Sequence, residues 1–124
     1  MKKFGILIIM AAFVFAAGEV YAATLASGTA GTGDLSIAAG TFARQNDAIT
    51  FTTSVNVYVD FTASASKENY VVIAGHSSGD KAYGMDSTGG PIYSVAKTAG
   101  STTIGTCPSA QDATSADWTG WVSQ

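Results

Sequence analysis

Between Ile49 and Phe61 the chain alternates. Ile49, Phe51, Val55, Val57, Val59 and Phe61 stand on odd positions, and Thr50, Thr52, Ser54, Asn56 and Asp60 on even ones. A period of two in β-branched and aromatic residues specifies a strand with one buried face, so it commits the chain to a sheet. Tyr58 alone breaks the polar side. The run is long for one strand, and a bulge or break near Thr53-Ser54 is expected.

Further strand signals follow at intervals of about ten residues, separated by turn chemistry. Tyr70–Ala74 is the second, Lys81–Met85 the third and Ile92–Val95 the fourth, with Ala63–Asn69, Ser77–Asp80 and Asp86–Gly90 as turns. Gly79 accepts positive φ and Asp80 can bond its own backbone. The expected fold class is mainly β: a small antiparallel meander with no long helix beyond the first 22 residues. Pro91 stands at a strand start, where a missing N–H is tolerated. Thr102–Thr106 is expected to add an edge strand, and Trp118 and Trp121 to pack back onto the domain.

Residues 1–22 read differently. Met1-Lys2-Lys3 is a positive start, Phe4–Ala17 is an uncharged apolar run, and Val20 and Ala22 are small residues at −3 and −1. This is the layout of a cleaved secretory signal peptide, with the cut between Ala22 and Ala23. The apolar run is shorter than the roughly 20 residues needed to span a bilayer. Gly18-Glu19 loosely resembles a prepilin cleavage site, but there the apolar helix follows the cut, and here it precedes it. The expected product, residues 23–124, is one exported domain whose first part, 23–48, is an extended low-complexity arm anchored by Leu35, Ile37 and Phe42.

In that product 28 residues are Ser or Thr, 16 Ala and 12 Gly. Small side chains make a thin core. Four basic residues (Arg44, Lys67, Lys81, Lys97) face eight acidic ones, which excludes the basic surface a nucleic-acid binder needs. One His and one Cys cannot build a zinc site. Cys107 has no partner in the chain and reads as an unpaired thiol. His76 beside Ser77, Ser78 and Asp80 is the single arrangement that could suggest a triad, but neighbours in one turn do not form one. Gly28–Gly33 lacks the strand, helix and Lys of a phosphate loop. Asp86-Ser-Thr-Gly89 has no second copy to make an aspartic dyad. Asp34, Asp47, Asp60, Asp80, Asp86 and Asp112 are too dispersed for more than a weak calcium turn. The aromatic residues follow strand spacing and read as core. The expectation is therefore no enzyme, no metal and no cofactor.

The stretches Thr53–Phe61, Tyr70–His76, Gly79–Gly84 and Ile92-Tyr93 resemble the C-terminal β-domain of certain bacterial type IV pilins. There, too, a valine-rich strand precedes a Tyr-led strand ending in Ala-x-His, a Gly-Asp turn and a short Ile-Tyr strand. The match spans about residues 53–95. Those pilins carry a long helix on the same chain, and this one has a signal peptide in its place. That combination is similar to geopilin domain 2, the separately encoded globular half of a split pilin. The resemblance implies a structural subunit that pairs non-covalently with a short helical pilin chain. It also implies contact with neighbouring copies, passage through the periplasm, and assembly into an extracellular filament linked to electron transfer or cytochrome export. On this reading the partner helix covers Leu35, Ile37, Phe42, Val55, Val57, Val59 and Phe61. The alternative is a freestanding exported β-domain that binds a surface ligand or matrix.

Overall fold

The computed structural model describes residues 22–124, so the expected signal peptide lies outside the described residues apart from its junction. Eight strands run in order: β1 Ala23–Thr24, β2 Asp34–Ile37, β3 Ile49–Thr52, β4 Val57–Ala63, β5 Tyr70–His76, β6 Lys81–Asp86, β7 Tyr93–Ala96 and β8 Val122–Ser123. They form a three-stranded sheet, β1-β2-β3, and a five-stranded sheet, β4-β5-β6-β7-β8. The described residues contain no helix. The fold is mainly β, and the antiparallel meander expected from the sequence is β4 to β7.

The alternating run divides between the two sheets. Val57 N–H donates to Ser54 O at 3.0 Å, closing a tight turn. Asn56 sits there at φ 62°. Asparagine is one of the few side chains that tolerate this left-handed conformation. The chain reverses at Asn56, leaving β3 beside β2 and sending β4 to start the larger sheet.

At β4 the larger sheet is covered on both faces, which explains why the adjacent residues Asp60 and Phe61 are both buried. On one face Val71, Ile73 and Ala82 pack against Ile104, Cys107, Ala116 and Trp118 from the C-terminal tail. On the other face Phe61 packs against Leu25, Leu35 and Ile37 from the arm. The chain thus supplies covering layers of its own, the arm on one side and the tail on the other.

The tail covers its face with almost no regular structure. Thr102–Thr106 is not a strand; the added strand is β8, paired to β7. Side chains hold the tail instead. Thr62 O–H donates to Pro108 O at 2.6 Å, and Asn69 Nδ2 donates to Gln111 O and Asp112 O. The Asp86 carboxylate accepts from Ser115 O–H, Ala116 N–H and Trp118 Nε1–H. Trp118 stacks on Tyr93, centroids 4.3 Å apart, and lies on Gly84, where a Cβ would come within 2.7 Å of the indole. Only glycine leaves room for that ring.

The arm also closes an open edge. Gly31 exchanges two 2.8 Å backbone hydrogen bonds with Val59, and Gly28 N–H donates to Phe61 O. The outer edge of β4 is thus protected by the chain's own glycine-rich segment, whose amides are spent on strand carbonyls rather than open to a phosphate.

Candidate functional site

The residues expected to meet a partner helix are mostly interior. Leu35 and Phe61 are each 2% exposed, and Ile37 is buried with them. Phe42 and Val59 pack half-buried against this group, Phe42 meeting Phe61 edge-on at 5.6 Å. The structure brings these five together as an internal cluster closed by Leu25. Val57 is half-buried at the start of β4. Val55 is 83% exposed at the tip of the turn. The odd-position face of β4 is covered by its own arm, because the run breaks at Asn56 and lets β2 and β3 fold back over it. The junction Ala22–Ala23 lies at the start of β1, where Ala23 pairs with Leu35.

Other candidates are engaged or isolated. His76 Nδ1 accepts Ser78 N–H at 3.1 Å, and no Ser hydroxyl or carboxylate bonds to it among the described residues. The Asp86 carboxylate holds the tail. Burial works to raise its pKa, but the hydrogen bonds from Ser115, Thr88, Trp118 and Ala116 outweigh burial and hold it well below the usual carboxylate range. Asp60 is the opposite case: burial raises its carboxyl, against the amides of Phe61, Gly28 and Thr29. Burial, reinforced by the charge of Asp60, pushes the Cys107 thiol up to about 12. A thiol so held is no nucleophile at neutral pH. No group of three or more potential metal ligands occurs among the described residues, and no helix there is long and apolar enough to cross a membrane.

The arm covers only the β4 side of its face. Beyond Val72 the same face is open, and there lies a shallow apolar groove of about 220 Å³ lined by Val72, Ala74, Tyr83, Gly84, Met85 and Ile92. Tyr83 is 48% exposed, and Met85 and Ile92 are each 53% exposed. Strand register adds Val122, opposite Ser94, to the same face. Along β5 to β8 this face carries Tyr70, Val72, Ala74, His76, Lys81, Tyr83, Met85, Ser94, Ala96 and Val122. None of these is a carboxylate, on a chain where acids outnumber bases. The apolar part of this face is the groove between Val72 and Ile92.

Sequence reasoning missed this surface because β6 alternates large and small residues. Tyr83 and Met85 invite assignment to the core. The tail inverts that choice: Trp118 and Ile104 need the flat side made by Gly75, Ala82 and Gly84, so the large side chains turn outward. The available signal was a small-residue stripe in the strands paired with two late tryptophans. Set against known protein families, curated proteins and solved structures, the chain matches none of them.

Proposed function

We propose that this protein is a structural subunit of an extracellular type IV pilus-like filament. It docks non-covalently on a short helical pilin chain through the open half of its larger sheet, after export by a cleaved signal peptide. The observation that carries this reading is the half-covered face: beyond Val72, where the arm ends, Tyr83, Met85 and Ile92 stand exposed around an apolar groove. An amphipathic helix fits such a groove with side chains at i, i+3, i+4 and i+7, and the residue pattern over 53–95 independently resembles split pilins. No catalytic, metal or cofactor role is included. The contact differs from the sequence expectation in one respect. The helix lies over β5 and β6 and leaves Leu35 and Phe61 to the domain's own core.

Met85→Asp and Tyr83→Asp test this. Both side chains are exposed, so both variants should fold, and both should lose co-purification with a short helical pilin chain. Thr50→Asp on β3 should retain it. A folded Met85→Asp variant that still enters filaments would overturn the proposal.

One observation favours the second reading, a freestanding exported β-domain that binds a surface ligand: both core clusters close within the chain. On that reading the purified protein is a stable monomer, and no helical chain changes its melting temperature.

A further inference from the structure

On the opposite face, where the tail crosses β7, a second hollow of about 250 Å³ has Val95, Gly105, Pro108, Asp117, Thr119 and Trp121 among its lining residues. We infer that it binds a single neutral pyranose ring, a further function that does not depend on the filament reading.

The platform is a fixed aromatic ring. Trp121 packs edge-on against Trp118 at 5.2 Å and 79°, and Trp118 is itself held by Tyr93 and Asp86. Trp121 N–H donates to Trp118 O at 2.9 Å, so the backbone is tied as well. The ring therefore needs little ordering when a ligand arrives, and preorganisation reduces the entropic cost of binding. Gly105 keeps the mouth clear. It sits at φ 98°, and a Cβ there would lie 3.6 Å from Val95 Cγ1 and 3.8 Å from Trp121 Cζ2. A side chain at this position would occupy the rim of the indole.

The polar groups suit hydroxyls. Asp117 Oδ1 accepts Thr119 N–H at 3.0 Å and Thr119 O–H at 2.6 Å. That orients the carboxylate, and Oδ2 takes no protein donor among the described residues. The free Oδ2 accepts a sugar hydroxyl, while the C–H face of a pyranose lies on the indole, an apolar body with a polar tip. The hollow is smaller than the roughly 300–1,000 Å³ of sites for drug-sized ligands, which suits one ring. No cation lines it, so uronates and sugar phosphates meet an uncompensated carboxylate and are excluded. A quaternary ammonium ion would want the same ring and charge, but such cations are held by cages of several aromatic faces, and here one ring lines the space.

The two indole N–H signals, from Trp118 and Trp121, make the test direct. The purified protein is titrated with methyl β-galactopyranoside, methyl β-glucopyranoside, N-acetylglucosamine, glucuronate and tetramethylammonium, followed by two-dimensional amide NMR. The expected result is movement of the Trp121 indole and the Gly105 amide with at least one neutral sugar, at a dissociation constant on the order of millimolar. Asp117→Asn, an exposed change that spares the fold, should weaken binding at least tenfold, and Trp121→Ala should abolish it. No response to any neutral sugar, an equal response to glucuronate, a response to tetramethylammonium alone, or an unchanged affinity in Asp117→Asn would each overturn the inference.

Discussion

Replacing Asp86 by Asn changes one atom's chemistry and little of its shape, yet it should loosen the whole tail. Oδ1 accepts from Thr88 N–H and O–H, and Oδ2 from Ser115 O–H at 2.6 Å, Trp118 Nε1–H at 3.0 Å and Ala116 N–H at 3.2 Å. An asparagine keeps one acceptor oxygen. Its cheaper orientation leaves that oxygen with Ser115, Ala116 and Trp118 and turns the NH₂ to Thr88, whose hydroxyl can rotate to accept but whose backbone N–H loses its acceptor. The three tail bonds survive but lose charge assistance, falling from roughly 1.5–3 to about 1 kcal/mol each. Three bonds losing about 0.5–2 kcal/mol each give an expected loss of about 1.5–6 kcal/mol at pH 7, a fall in melting temperature of roughly 6 °C or more for a domain of this size. Thermal and urea unfolding followed by circular dichroism measure it. The pH series supplies the internal control. The folded carboxyl is held below its unfolded value of about 3.9, so its stabilisation is complete above that value and drains away as pH falls through it. The gap between wild type and Asp86→Asn should therefore narrow below about pH 4. A gap under about 0.5 kcal/mol at pH 7, within the range of ordinary surface substitutions, or one that widens in acid, would refute the argument.

Three other outcomes are expected. Gly84→Ala places a Cβ 2.7 Å from Trp118 Cη2 and 2.8 Å from Ile73 Cγ2; it should cost about 1–3 kcal/mol in urea unfolding, as overpacking does. Asp60→Asn should leave stability at pH 7 equal or higher. Its folded carboxyl is raised, so ionisation penalises the native state as pH rises past the unfolded value, and a clear loss in thermal unfolding would count against that. Cys107 should resist maleimide at pH 7.5 in the native protein and react at once in denaturant, because the buried thiol is pushed up to about 12.

Much of the larger sheet was legible because its strands and turns are local signals. Tyr70 to Val95 carries alternating hydrophobics interrupted by Ser-Ser-Gly-Asp and Asp-Ser-Thr-Gly-Gly, and β5 to β7 follow them within a residue or two. The break expected near Thr53-Ser54 is there, since β3 ends at Thr52 and β4 starts at Val57, but the reversal at Asn56 within it was harder. Its position fits the polar side of the alternation, and only its backbone angle shows it to be a hinge. The arm was read as extended chain anchored by Leu35, Ile37 and Phe42, and β2 carries the first two of these, but nothing local says that Leu25 and Leu35 reach across to Phe61. Direction was the remaining failure. Whether Met85 or Gly84 faces inward depends on Trp118, more than thirty residues away, and alternation alone cannot choose between two faces. The candidate surfaces inherit that difficulty: the open apolar groove is what remains after the tail has chosen its side, and the hollow at Trp121 exists only where tail and β7 meet.

The two covering layers come from opposite ends of the chain, and this fixes an order of events in folding. The strands β4 to β7 can zip locally through short turns, but Phe61 waits for Leu25 and Leu35, and Ile73 waits for Ile104 and Trp118. Contacts so distant in sequence make for slow collapse, on the order of milliseconds to seconds rather than microseconds. Until the final residues are free to move, the central strands present apolar side chains on both faces and an unsealed β4 edge, the state most prone to adhere to its own kind. A chain cut before Ala116 should therefore remain a sticky, partly ordered sheet, recognisable by dye binding and poor signal dispersion, whereas the chain through Trp118 should fold cooperatively.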